Sequence, residues 1–473
     1  MQCFGFLLLA SSFSLLFGLS ASAVQGADSK QLSEPASIAF ISDVHLHDIY
    51  GSIDGWDGVL NSKSQKKAVP RSMYAQLNST RLFNENYFAF RAALDDIQAR
   101  GIHLVALPGD YTDDAQPINV EGLRKILHEY EAKGLRFFLA PGNHDPNEPF
   151  DDEGGKDDFL AANGHEQKIY SPQSAACLET TASQTADRPI CASQIRELGY
   201  AGILEALGDF GYRPRPEDIY WETPFSDPKE AYSFVRAERD AETDKRQYEI
   251  CVEGEGGSYK QAGYTNCSSI TDASYLVEPV PGLWLLSIDA NVYLPKAGEA
   301  FDPQRLDRAA NYSGSADAGY NKVRTHKTHL LSWIKSVVDR ARAKGKRLVA
   351  FSHFPMIEFY KGQSDRMSQL FKPKAFQMVR RPLAETTQAL AATGLELHIG
   401  GHMHMNSTGI FPEGGGKDRE GHFLVNIQVP SLGVYGAAYK ILNFKPDEKI
   451  AVQTISLDEV PRFDELFEHY ETE

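Results

Sequence analysis

Basic residues are in the minority in this 473-residue chain. Lysine and arginine number 48 against 64 aspartates and glutamates, for a formal net charge of -16 and a sequence pI near 5.4. A nucleic-acid polymer needs a broad basic face, so that partner is not expected. A small phosphorylated substrate stays open, because bound cations can supply a positive field locally. Cysteine is scarce, with five residues. None has C-x-x-C spacing, which argues against a thiolate metal site. Beyond the N-terminus there is no apolar run long enough to span a bilayer. There is no internal repeat. Gly414-Gly415-Gly416 precedes no helix, so it reads as a hairpin loop and not a phosphate cradle.

The N-terminus has the layout of a secretory signal peptide. Phe4 to Leu19 is apolar apart from Ser and Gly, and Ala21-Ser22-Ala23 supplies small residues for cleavage. Met1-Gln2-Cys3 carries no Lys or Arg, and the alternative is an uncleaved anchor. Residues 1–23 are read as the signal and 24–35 as a polar linker. The expected product is exported, periplasmic or extracellular, with no stable membrane insertion. It keeps Cys177, Cys191, Cys251 and Cys267, an even count that suggests disulfides in an oxidising compartment. Of the three possible pairings, Cys177–Cys191 with Cys251–Cys267 closes the two shortest loops and is the one expected.

Strand and helix patterns alternate along the rest. Buried strands are expected at 37–42, 103–108 and 135–140, with helices at 88–100 and 120–133 between them. From 147 to about 273 the pattern breaks into acidic clusters, Pro, Gly, Tyr and the four cysteines, and reads as a cap-like insertion. It resumes with strands at 282–288, 347–352 and 395–399 and helices at 325–343 and 381–393. Segments 421–429, 436–444 and 449–455 read as antiparallel strands finishing a second sheet. One domain over 36–458, interrupted by the insertion, and a tail at 459–473 account for the chain. Alternation of this kind marks a layered α/β fold.

Five short motifs sit at ends of expected strands: Asp43-Val44-His45, Gly109-Asp110, Gly142-Asn143-His144-Asp145, His353, and Gly401-His402-Met403-His404. Ligands in such folds gather beyond the carboxyl ends of strands. Each motif alone would pass for a turn or a structural histidine. Together they supply carboxylate, amide and imidazole donors suited to two neighbouring zinc, manganese or iron ions. A centre of that kind can activate water and clamp a phosphate ester. His144 could donate a proton to the leaving group, with Asp145 accepting from its second ring N–H. His47 and Asn406 could reach substrate or merely serve their loops. Asn78, Asn266, Asn311 and Asn406 begin N-x-Ser/Thr triplets.

This ordered set resembles the calcineurin-like metallophosphoesterase superfamily from Asp43 to His404, with no match across the insertion. The resemblance implies a four-layer α/β/β/α sandwich. It implies one ion held by Asp43, His45, Asp110 and His404. The second would be held by Asp110, Asn143, His353 and His402, with Asp110 as the bridge. It implies in-line attack by a metal-bound hydroxide and no phosphoenzyme. Asp113 stands where purple acid phosphatases place a ligating tyrosine, so that subclass is disfavoured. Gly109-Asp110-Tyr111-Thr112-Asp113 is closer to phosphodiesterase-like members. The expected protein is therefore an exported dimetal phosphoesterase with a slight preference for diesters. The alternatives are a nucleotidase-like phosphomonoesterase and a non-catalytic secreted metal-binding protein of the same fold. The oligomeric state is not legible.

Overall fold

The computed structural model describes residues 37–179, 188–315, 319–371, 375–447 and 449–473. The signal-peptide and linker readings lie outside the described residues. Two sheets face each other. The first is five-stranded, in the order Ile450–Ser456, Ala438–Phe444, Ser37–Phe40, Leu104–Pro108, Arg136–Ala140. The second is seven-stranded, in the order Ser407–Phe411, Leu424–Gln428, Leu397–Gly400, Arg347–Phe351, Leu283–Ser287, Tyr275–Val280, Tyr220–Glu222. The centres of both sheets are parallel: Ser37–Phe40 beside Leu104–Pro108 beside Arg136–Ala140, and Leu283–Ser287 beside Arg347–Phe351 beside Leu397–Gly400.

Side-chain alternation explains the layers. Successive residues of a strand point to opposite faces. In Leu283–Ser287, Leu283 and Leu285 join the core between the sheets, while Trp284 and Leu286 join a second core under the helix Thr328–Ala343. Phe40 and Phe351 meet edge to face across the sandwich, ring centres 6.2 Å apart. On the far side of the first sheet, helices Asn86–Ala99 and Pro117–Glu131 bury Phe90, Leu94, Leu123 and Leu127. The expected α/β sandwich is present, with the loops that follow the parallel strands gathered at one end.

Three expectations need correction. Leu424–Gln428 enters the second sheet parallel to Leu397–Gly400. Ala438–Phe444 and Ile450–Ser456 instead complete the first sheet, antiparallel to Ser37–Phe40 and to each other. Alternation tells which residues are buried, but not which strand they pair with. Second, the helix expected over 325–343 is broken at Lys327 into Val323–His326 and Thr328–Ala343. Lys327 Nζ turns inward to the carbonyls of Asp289 (2.7 Å) and Asn291 (3.2 Å). Third, the stretch 147–273 is not a uniform cap. Its later part supplies the edge strand Tyr220–Glu222 and sends Tyr200, Leu204, Phe210 and Trp221 into the main core.

Both expected disulfides are present, Cys177–Cys191 and Cys251–Cys267. Gly414 to Gly416 lie between the antiparallel strands Ser407–Phe411 and Leu424–Gln428, as a hairpin loop. Among the described residues no helix is long and apolar enough to cross a membrane. The last residues pack back on the loops near the sandwich end: Asn84 Nδ2 donates to Tyr470 OH (2.6 Å), and Glu473 caps the Met73 N–H (2.7 Å).

A buried ionic cluster ties the 147–273 stretch to Thr328–Ala343. His329 Nδ1 meets Glu255 (2.7 Å) and its Nε2 meets Asp272 (3.0 Å). Lys327 Nζ lies 3.3 Å from Asp272 and 3.2 Å from Asp289, and the Tyr248 ring packs 4.7 Å from the imidazole. Burial opposes protonation of His329, but hydrogen bonds to Asp272 and Glu255 outweigh it and raise its pKa. A pKa raised on folding adds stability that is full below the unfolded value, about 6.5, and lost as pH climbs through the folded value. His329→Gln should therefore cost roughly 2–3 kcal/mol in mildly acidic buffer. The deficit should shrink in alkaline buffer, read by thermal melting at about pH 5.5 and about pH 9.5.

Candidate metal centre

The first motif is zipped to the second by continuing parallel bonds past the strand ends. Ile41 N–H donates to Ala106 (3.0 Å), Asp43 to Gly109 (3.2 Å) and His45 to Asp110 (2.8 Å). Asp43, His45, Asp110, His402 and His404 all have left-handed backbone, with φ of 52°, 45°, 51°, 70° and 54°. This conformation costs an L-residue about 1–2 kcal/mol, and Asp is among the types that tolerate it best. Here it curls each loop so that alternate side chains converge. Two close approaches require glycine. A Cβ on Gly109, itself at φ 80°, would fall 2.6 Å from His353 Cβ, and one on Gly401 would fall 2.5 Å from Asp43 Oδ2.

The seven side chains expected as ligands come together. Asp43, His45 and His404 form one group and Asp110, His353 and His402 another, with ligand-type atoms within 4.8 Å of one another in each. His404 Nε2 is 3.4 Å from Asp43 Oδ1. Asp110 Oδ2 reaches both groups, 3.7 Å from His45 Nε2 and 3.1 Å from His353 Nε2. Asn143 Oδ1 is 3.2 Å from His353 Nε2. All but His404 are buried, and His404 is half-buried. The donor set fits two cations. His353 Nε2 and His402 Nδ1 face each other at 3.0 Å, and His45 Nε2 and His404 Nε2 at 3.2 Å. Two imidazole lone pairs that close need a proton or a cation between them.

Electrostatics follow the same division. Burial would raise the Asp110 carboxyl, but the His353 and His144 rings outweigh it and hold it well below the usual carboxylate range. Burial disfavours a charged His353, yet the adjacent Asp110 pushes its pKa up to about 9. His45 is pushed well down by burial and by Arg81, and His402 by burial, His353 and Arg380. Neutral imidazole is the form that binds a cation.

His144 sits over the first group, its ring 5.0 Å from that of His45, and its backbone N–H donates to Asp110 Oδ1 (2.9 Å). Its partner is not Asp145, which corrects the sequence reading. His144 Nδ1 is hydrogen-bonded to Asp114, which in turn pairs with Lys156. The Asp145 carboxylate faces the other way. It accepts from Thr112 N–H (2.8 Å), Thr112 Oγ1 (3.0 Å), Tyr111 N–H (3.3 Å) and Gly142 N–H (3.3 Å), fastening the second loop to the third. Adjacent residues point in different directions, so Asp145 cannot follow His144 into the cleft.

Four residues were missed by sequence reasoning. Asp114 and Lys156 are two. Arg81 NH1 contacts His45 Nδ1 (3.2 Å) and Asp113 (3.0 Å), and Arg380 NH1 contacts His402 Nε2 (3.0 Å). The doublets Asp113-Asp114 and Arg380-Arg381 were the available signals. Asp113 also binds Arg71 (2.8 Å) and stands outside both groups. His47 is structural, its Nε2 on the Val69 carbonyl (2.7 Å). Asn406 takes Lys440 Nζ (2.7 Å).

Two substitutions separate the carboxylates. Asp114→Asn should lower kcat by roughly tenfold to a hundredfold, through a less well oriented His144, with metal content by mass spectrometry unchanged. Asp145→Ala strands four donors and should destabilise the fold by about 2–4 kcal/mol in denaturant titration.

No curated protein sequence matches the chain. Distant structural likenesses include a dimetal phosphatase from Danio rerio, at 12% identity and TM-score 0.39, covering 89% of this chain and 99% of that one. Another is GAP50, the anchor in the inner membrane complex of Plasmodium, at 9% and 0.30, covering 93% and 94%. A third is a purple acid phosphatase from yellow lupin, at 9% and 0.34, covering 90% and 54%. None of the three bears on activity at such scores. The calcineurin-like phosphoesterase family model matches residues 36–236, a span that holds the first three motifs, while His353, His402 and His404 reach the same cleft from the second sheet. Over residues 36–236 the chain is similar to the calcineurin-like phosphoesterase family.

Proposed function

We propose that this chain is an exported hydrolase of small phosphate esters, working at a two-metal centre with a slight preference for phosphodiesters. The observation that carries the reading is the Asp110 carboxylate, within 3.1–3.7 Å of imidazoles from both sheets. One ion would be held by Asp43, His45, Asp110 and His404, the other by Asp110, Asn143, His353 and His402. Mixed oxygen and imidazole donors suit zinc, manganese or iron. When bound, the pair supplies Lewis acidity toward the ester and activation of a water.

The protein's own groups do the rest. His144 is anchored through Nδ1 by Asp114, so Nε2 is the atom that can pass a proton to the leaving oxygen. The nearby Asp110 and Asp114 charges overcome burial and raise its pKa, which keeps that proton available. Export is supported by the two disulfides and the N-terminal signal layout. The Gly109-Asp110-Tyr111-Thr112-Asp113 form supports a diester substrate. A monoester reading is favoured by one observation: Arg81 and Arg380 bring two guanidinium groups to the ligand histidines, more donors than a monoanionic diester needs.

Hydrolysis of bis-p-nitrophenyl phosphate and p-nitrophenyl phosphate, with added manganese or zinc and with chelator, tests the proposal. Metal-dependent turnover is expected, abolished by chelator and reduced at least roughly a hundredfold in Asp110→Asn and His144→Ala. The ratio of the two rates assigns diester or monoester. Two bound ions without turnover of either ester would favour the binding-protein reading.

A further inference from the structure

We propose that the strand Ile450–Ser456 pairs with the same strand of a second copy, joining the two five-stranded sheets into one of ten strands around a two-fold axis at Gln453. The proposal is independent of the site chemistry. The strand is the outer edge of its sheet, and its seven residues pair with Ala438–Phe444 without a bulge. Its sequence, Ile-Ala-Val-Gln-Thr-Ile-Ser, has no charge, proline or glycine. Those are the devices by which exposed edges are normally kept from pairing. Ile450 and Val452 are 37% and 41% exposed.

The other edges of the two large sheets are protected. Arg136–Ala140 is overlain by Gly208–Tyr212, with Phe210 packed on Phe137 (6.2 Å between ring centres). Tyr220–Glu222 is three residues long, and Glu222 is held by Trp333 Nε1 (3.0 Å) and Arg340. Ser407–Phe411 carries Gly409, runs into Pro412, and is bordered by Ile357, Glu358 and Leu383. Among the described residues of the two large sheets one edge is left open, and pairing through one edge gives a closed pair and not a filament.

Hydrogen-bond parity, together with overlap of all seven residues, sets the register. Leu457 N–H donates to Ala437 and Lys445 N–H to Lys449, so the odd-numbered residues 449 to 457 turn their backbone groups inward. The N–H and C=O of Ile450, Val452, Thr454 and Ser456 therefore point away from the sheet. Antiparallel self-pairing about Gln453 sets Val452 against Thr454 of the second copy and Ile450 against its Ser456. Gln453 then meets its own copy as a non-hydrogen-bonded pair, where side chains lie closest. An amide is both donor and acceptor, so it complements itself across the axis.

Sedimentation velocity of the full chain tests this, with a small strand-edge interface expected to dissociate in the micromolar range, about 1–100 µM. A proline at 452 removes only an outward N–H and leaves the internal ladder intact. Val452→Pro should weaken the dimer at least roughly tenfold, and Gln453→Glu, which sets two carboxylates face to face, should do so in a chain whose backbone is unaltered. Gln453→Cys should form a disulfide-linked dimer on oxidation, absent in wild type and reversed by reductant. A monomer throughout this range, a dimer unmoved by Val452→Pro and Gln453→Glu, or no cross-linking of the Gln453→Cys variant above wild type would each overturn the proposal.

Discussion

Asp110 is the contact through which both sheets meet at the site. Its carboxylate lies against His45, delivered by the first sheet, and against His353, delivered by the second. Its Oδ1 also takes the backbone N–H of His144 from the third motif. A buried carboxylate surrounded by imidazoles is expensive unless charge is matched locally. Matching requires the loops to hold their places before any ligand arrives. The backbone bonds between 41–45 and 106–110, the positive φ angles, and the glycines that let His353 and Asp43 approach all serve that requirement.

The supporting layer is as polar as the cleft. Asp145 fastens the second and third loops by accepting from their backbone. Asp113 collects Arg71 and Arg81, and with them the segment that follows the first motif. Asn291 donates to the Gly142 carbonyl (2.9 Å), which connects the third loop to the Lys327 cluster beneath it. Buried charges of this kind contribute little net stability when complete and cost several kcal/mol when one partner is removed. Their visible effect is positional: each fixes a loop that carries a ligand-type side chain.

Much of this was legible in the sequence. The strands near 37, 104, 136, 283, 347 and 397 were readable because each is a short apolar run ending in a polar turn. The seven ligand-type residues were readable because strand ends share one side of an α/β sheet. Pairing between remote strands was not, and Ala438–Phe444 and Ile450–Ser456 were given to the wrong sheet. Nor was the orienter of His144. Asp145 is its neighbour in sequence, whereas Asp114 reaches it through the turn after the second motif, where Asp114 and Ala115 have φ of 59° and 52°. Arg81 and Arg380 lie in stretches without periodicity, so only the folded chain places them beside His45 and His402.

The central claim is that these seven side chains make two cation sites that share one carboxylate. Metal content by plasma mass spectrometry, after equilibrium dialysis of wild type, Asp43→Ala, His353→Ala and Asp110→Ala, tests it most directly. The account predicts two ions per chain in wild type, selective loss of one in Asp43→Ala and in His353→Ala, and loss of both in Asp110→Ala. A single ion in wild type, or an Asp110→Ala variant that keeps two, would contradict it.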